Sequence, residues 1–323
     1  MGRPVINLEA STYKPLSPKA VKELIGPHTW IASIGPVLIG GALCVTGGAL
    51  PINAFNGRAL IIWALMLVTA VMMQCAVNTY NDYRDFLSGL DTAENITDTT
   101  DASIVYNHLN PRDALKVVIV TLVIAGCSGM AIVLMSSWVT LALGAVGMAT
   151  VLLYSGGPKP IASLPLGEFV SGFVMGVIIP VATYYAVTGT LSWLVLAASF
   201  PSFACIALIM QTNNTCDIER DIEVGRRTMP VVVGRKASMR VMIVAAVAVF
   251  LWMLVLLYVS GLVFGIFVVA IAALLSIPLL RRIAKGPCDL ANRRVMMQTA
   301  TKLNKIVMVA WALAILFGVV MHG

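Results

Sequence analysis

The chain has 323 residues, of which 59% are hydrophobic and only 11% charged, with a mean hydropathy of +0.90. A soluble globular domain carries about 25% charged residues, so this composition excludes one and points to an all-helical integral membrane protein embedded in a lipid bilayer. The net charge of +7 belongs to basic residues gathered in loops and tails; it reports membrane topology rather than nucleic-acid binding.

Residues 1–28 read as a cytoplasmic N-terminal segment with prolines and mixed charge, without the short apolar core and small-residue cleavage site of a signal peptide. A transmembrane domain over 29–323 follows. Nine apolar segments of spanning length are predicted, at 29–49, 59–82, 114–135, 138–155, 167–187, 192–213, 239–259, 262–280 and 303–321. The joints after the third, fifth and seventh are short, and those after the second, fourth, sixth and eighth carry the polar sequence. Every one of the 22 Lys and Arg residues except Arg58, and all 15 Asp and Glu, fall in the N-terminal tail, those longer loops or the adjacent helix ends. The positive-inside rule then places the N-terminus in the cytoplasm and the C-terminus outside a plasma membrane.

Six cysteines show neither metal spacing nor a disulfide framework. Four fall within the apolar segments, while Cys216 and Cys288 fall on the cytoplasmic side. The 17 methionines read as packing or lipid-facing residues.

One signature occurs twice. Asn78-Thr79-Tyr80-Asn81-Asp82-Tyr83-Arg84-Asp85, with Gly89, closes the second segment. Asn214-Thr215-Cys216-Asp217-Ile218-Glu219-Arg220-Asp221, with Gly225, closes the sixth. Both fit N-T-x-[N/D]-x-x-R-D-x-x-x-G. Positions i, i+3 and i+7 share a helix face, so Asn78, Asn81 and Asp85 converge, as do Asn214, Asp217 and Asp221. Helices one to four and five to eight thus read as two related halves, with the ninth appended. Parallel repeats place their shared site where the halves meet. A site near the membrane surface that also reaches into the bilayer suits a substrate with a charged head and a greasy tail.

Asn and Asp oxygens are hard ligands suited to Mg²⁺, which completes its octahedron with water and substrate phosphate. Asp82, Asp85 and Asp91 supply carboxylates from the first half, Asp217 and Asp221 from the second; uncompensated, they would repel one another. Arg84, Arg220, Arg226, Arg227 and Lys159 flank them. Carboxylates holding metal beside Arg and Lys donors form a cage for a diphosphate. Tyr154 and Lys159 sit in the stiff loop Tyr154-Ser155-Gly156-Gly157-Pro158-Lys159-Pro160. His28, before the first span, reads either as an interfacial residue or as part of an acceptor site with Thr29 and Asn78.

These stretches resemble the UbiA superfamily of membrane prenyltransferases, and within it the branch that prenylates 1,4-dihydroxy-2-naphthoate in menaquinone synthesis. Asn81 to Phe86 with Gly89 and Asp91 is similar to the first aspartate-rich motif of that branch. Asn213-Asn214 through Asp217, Asp221, Gly225, Arg226 and Thr228 is similar to the second. Tyr154-Ser-Gly-Gly-Pro with Leu166-Gly167-Glu168, and Gly176, Tyr184-Tyr185 and Thr188-Gly189, continue the likeness. The resemblance implies an all-helical fold of nine transmembrane helices around a central cavity, and Mg²⁺-dependent transfer of a polyprenyl chain from its diphosphate to an aromatic ring. Asn81, Asp82, Asp85, Asp91, Asp217 and Asp221 would hold metal, with Asp85 and Asp221 catalytic. Arg226 would bind the diphosphate; from the residues themselves, Lys159 and Arg227 read either as further diphosphate ligands or as positive-inside anchors, and His28, Thr29, Asn78 and Tyr154 as acceptor-binding. The chain departs from relatives at Gly26-Pro27, where many have Arg-Pro, at Val231-Val232-Val233-Gly234, and in the acidic loop Thr92 to Pro111. Another acceptor, such as 4-hydroxybenzoate or a glycerol phosphate lipid, is the alternative within the family. A polytopic transporter is the alternative outside it.

Overall fold

The computed structural model describes residues 13–46, 56–91 and 102–322; the residues of the first predicted span beyond Thr46 and residues 92–101 of the acidic loop lie outside them. Fourteen helices carry the described chain: α1 (Pro18–Ile25), α2 (Ile31–Thr46), α3 (Gly57–Ser88), α4 (Ser103–Tyr106), α5 (Pro111–Met135), α6 (Trp138–Ser155), α7 (Gly167–Phe173), α8 (Ile179–Thr188), α9 (Trp193–Cys216), α10 (Ile218–Glu223), α11 (Met229–Val233), α12 (Arg235–Val259), α13 (Gly265–Lys285) and α14 (Arg293–His322). Among the described residues, eight spans are long and apolar enough to cross a membrane; a ninth appears when Pro18–Thr29 and Ile31–Val45, which meet at a 49° bend, count as one. All-helical spanning structure satisfies every backbone group within its own segment, as the bilayer requires.

Sequence chemistry sets the helix ends. Asn56 caps α3 by accepting from Ala59 N at 3.0 Å, and Asn110 caps α5 ahead of Pro111. Ser17 and Pro18 start α1 in the same way, and Gly26, at φ +57°, ends it. α1 is therefore folded rather than a loose tail: Ala20 and Leu24 pack with Ile104, Leu109 and Ala114. A Cβ on Gly26 would come within 2.8 Å of the Asn78 amide nitrogen, which accounts for glycine at this departure from the relatives.

Several helices outrun their apolar cores. α3 has 32 residues, a length of about 48 Å against a hydrocarbon thickness near 30 Å, so its acidic motif lies inside the helix. α14 starts at Arg293, ten residues ahead of the predicted 303, because a polar helical stretch precedes its apolar run. The fifth span, α7 to α8, is interrupted by a π-turn over Val174–Ile178. There Gly176 lies so close to the Phe203 backbone that any Cβ would overlap it. Besides the cluster around α1, two apolar cores result. The larger joins α2, α9, α12, α13 and α14 around Trp311, and the smaller joins α2, α3, α5 and α8 around Ile62.

Candidate active site

The two motif ends fold alike. Gly89 and Gly225 both adopt left-handed φ, +75° and +77°. Gly89 N donates to Phe86 O and Leu90 N to Asp85 O; at the equivalent positions Gly225 N donates to Ile222 O and Arg226 N to Asp221 O. The repeat in the sequence is thus a repeat of capping geometry. The second motif departs in one respect: the helix breaks at Asp217, between α9 and α10, so Asn214 and Asp221 do not lie on one continuous helix.

The halves meet through charge. Arg226 bonds the Asp85 carboxylate across the halves and lies 3.8 Å from Asp221. Arg220 donates to Asp91 at 2.7 Å and to Leu90 O at 3.1 Å. Asn81 donates to Asp85 at 2.8 Å and accepts from Ser155 at 2.8 Å, while Thr228 donates to Asp221 at 3.0 Å. Asp82, Asp85, Asp91, Asp217 and Asp221 are all buried. Burial pushes Asp217 up to about 7 and, with lesser help from neighbouring acids, Asp91 and Asp221 up to about 6. Both oxygens of Asp82, which lie near the amides of Ser103 and Ile104, and one oxygen each of Asp91 and Asp217 have no hydrogen bond of ordinary geometry. Buried, hard and underused, this oxygen set fits a divalent cation. Among the described residues no three His, Cys, Asp or Glu side chains close on one point. Mg²⁺ is usually held by one or two carboxylates, with water and phosphate completing the shell.

Below these acids lies a cavity of about 580 Å³. Its polar end carries Asn81, Asp82, Asp85, Asp91, Asp217, Asp221 and Arg226, and its wall includes His28, Thr29, Asn78 and Tyr154. Thr29 accepts from Asn78 at 2.9 Å, and all four residues read as acceptor-binding line the same cavity. The Tyr154 hydroxyl is buried there, without a hydrogen bond of ordinary geometry. The apolar end runs between α3, α5, α6, the π-turn and α9. Seven of the 17 methionines line the cavity (66, 73, 130, 148, 175, 210 and 297), rather than only packing or facing lipid.

Lys159 and Arg227 are exposed and are not brought to the cavity, although each lies on a stretch that adjoins its lining at Ala162 and Arg226. Two polar residues escaped the sequence reading. Arg293 of α14 donates to Asp217 at 2.9 Å and to Asn213 at 2.6 Å, and it lines the cavity. Glu168 accepts from Asn214 at 2.8 Å. Arg293 carried no signal beyond a basic pair at a helix start. Glu168 lay in a stretch already matched, and a buried acid in an apolar span was the cue. Cys216 and Cys288, expected to face the cytoplasm, are buried against each other.

Residues 33–299 match the sequence profile of the UbiA prenyltransferase family. The chain belongs to this family. It is 32% identical over 230 residues, 71% of each chain, to the 1,4-dihydroxy-2-naphthoate octaprenyltransferase of Bacillus subtilis. To the protein of that name in Mycobacterium tuberculosis it is 27% identical, covering 90% of this chain and 92% of that one. Its fold matches a UbiA homolog from Aeropyrum pernix with a TM-score of 0.61 at 19% identity, over 88% of this chain and 96% of that one. It also matches a UbiA homolog from Archaeoglobus fulgidus solved with GPP and Mg²⁺, with a TM-score of 0.57 at 16% identity, over 92% and 99%. The chain is an integral membrane prenyltransferase, most similar to the naphthoate branch of the family.

Proposed function

We propose that this prenyltransferase moves a polyprenyl group from its diphosphate to 1,4-dihydroxy-2-naphthoate, with Mg²⁺, in menaquinone synthesis. The observation that carries the reading is one cavity whose acidic end and apolar body are continuous, the shape an amphiphilic diphosphate needs. The curated relatives named as naphthoate octaprenyltransferases and the homolog solved with GPP and Mg²⁺ support it.

In this reading Asn81, Asp85, Asp217 and Asp221 would hold the metal, with Asp82 and Asp91 supporting. Bound Mg²⁺ would neutralise the charge that develops on the leaving diphosphate. Arg226, already bridging both motifs, binds that diphosphate, while Lys159 and Arg227 draw it toward the site from the exposed rim. As the allylic C–O bond breaks, the methionine-lined wall keeps water from the cation until the electron-rich ring captures it. His28, Thr29, Asn78 and Tyr154 orient the ring through its oxygens. The active site faces the cytoplasm, with the N-terminus on the same side and the C-terminus outside.

The test supplies purified protein in lipid with labelled polyprenyl diphosphate, Mg²⁺ and a panel of acceptors. Prenylated naphthoate that disappears on chelation is expected. Prenylation of 4-hydroxybenzoate or a glycerol phosphate lipid, with none of the naphthoate, would move the chain to another branch of the family. Impermeant thiol labelling of single cysteines near each terminus, in intact cells, tests the orientation.

A further inference from the structure

Two of the six cysteines touch. The sulfurs of Cys216 and Cys288 lie 3.2 Å apart, although 72 positions separate them in the chain. Both residues are fully buried, at 0% and 1% exposure. Cys216 is the last residue of α9, and Cys288 lies in the connection between α13 and α14. Each neighbours the acidic site. Asp217 follows Cys216 directly, at the point where the helix breaks. Arg293, five positions after Cys288, holds Asp217 and Asn213. The thiol pair thus links the end of α9 to the connection just ahead of α14, beside the tie that Arg293 makes from α14 to Asn213 and Asp217, and prenyl transfer makes no use of it.

We propose that Cys216 and Cys288 form a reversible disulfide that slows catalysis by shifting the second acidic motif. In the step, two S–H bonds break and one S–S bond forms. The two electrons and two protons pass to a quinone, which leaves as the hydroquinone. A quinone is lipid-soluble and shares the bilayer with this chain, whereas burial of both thiols keeps charged reagents out. A disulfide bond is about 2.05 Å long, so the sulfurs must close by about 1 Å. Asp217 adjoins Cys216 at the end of α9, so backbone movement at Cys216 carries Asp217 with it. Catalytic constellations tolerate displacements of only about 0.5 Å. Part of the shift therefore reaches the Asp217 carboxylate.

The effect on turnover rests on the prenyl-transfer reading; the linkage does not. The full chain in phospholipid nanodiscs is treated with 2,3-dimethyl-1,4-naphthoquinone, which has no free quinone-ring position to alkylate, and in parallel with diamide. Peptide mapping is expected to find a Cys216–Cys288 cross-link lighter by two hydrogens. Turnover should fall on the order of ten- to a hundredfold, and dithiothreitol should restore both. Mn²⁺ binding followed by EPR should weaken in the cross-linked protein, which reads the same shift without an assay of turnover. Cys288→Ser and Cys288→Ala should each keep the untreated turnover and Mn²⁺ affinity and lose the response to oxidant. Treated protein whose two thiols remain alkylatable after denaturation overturns the proposal. So does a cross-link that leaves Mn²⁺ affinity unchanged, or inhibition that persists in both variants. A cross-link with weakened Mn²⁺ binding in protein that turns over no acceptor would uphold the linkage and count instead against the prenyl-transfer reading.

Discussion

Arg226 is the residue on which the two motifs converge, since one guanidinium meets Asp85 from the first half and Asp221 from the second. Asp85→Asn and Asp221→Asn should therefore each lower turnover by about 10²–10³-fold, with topology unchanged. Groups that act as one unit give non-additive losses, so the double variant should be little worse than either single one. Steady-state kinetics of the three proteins check this; a double loss equal to the product of the single losses would mean two independent sites. Arg293 acts through others, as a positioning residue. Its fork bonds Asp217 and Asn213 together, and lysine cannot reproduce that bidentate geometry. Arg293→Lys should raise the Mg²⁺ concentration for half-maximal rate by about tenfold, with the KM for acceptor nearly unchanged. An altered acceptor KM with unchanged Mg²⁺ dependence would assign Arg293 to the acceptor pocket instead. His28→Ala should do the reverse, raising the naphthoate KM by about tenfold, or about 1.4 kcal/mol, while sparing prenyl diphosphate.

Among the elements, α3 and α9 were the most legible in the sequence. Their apolar runs, the acids at or just past their ends and the glycines that follow were all visible as one repeated string, and the matching left-handed turns at Gly89, which caps α3, and Gly225, which follows α10, are its structural counterpart. What hydropathy misses is polar helix. It cut α14 at 303 and so hid Arg293, and it left α1 inside a tail, although Ser17, Pro18 and Gly26 spell its caps. The repeat brought the two acidic motifs together, but individual distant contacts outside it were not legible. Nothing in the string brings Cys288 to Cys216, or Ser155 to Asn81, because such contacts depend on how helices pack rather than on local period. Helix five shows the same limit. Gly176 was noticed as a likeness, but its physical reason is the approach of the Phe203 backbone at the π-turn. A side chain there must push α9 away or distort the turn. Gly176→Leu should lower the unfolding temperature in detergent, by a destabilisation of about 1–3 kcal/mol. An unchanged melt would show that the turn repacks freely.

Across the whole molecule, the fold buries five Asp carboxyls beneath one surface of the bundle and balances them with only a few guanidiniums. That arrangement makes stability depend on pH and on divalent cations together. Asp217 is pushed up to about 7 and Asp91 and Asp221 to about 6, from an ordinary value of 3.8, chiefly by burial. Between these values and the unfolded one, the folded chain binds more protons than the unfolded chain. Its stability therefore falls as pH rises through that window, from about 4 to 7. A divalent cation binds the ionised form, so it should offset the loss where the carboxyls are ionised and do little where they are protonated. For chelator-treated protein, the unfolding temperature should drop between about pH 5 and pH 8, and Mg²⁺ should raise it more at the higher pH. Equal Mg²⁺ shifts at both pH values would mean that the buried acids do not carry the metal. A rise in unfolding temperature with pH would mean that the guanidiniums outweigh burial and hold the acids ionised in the folded chain.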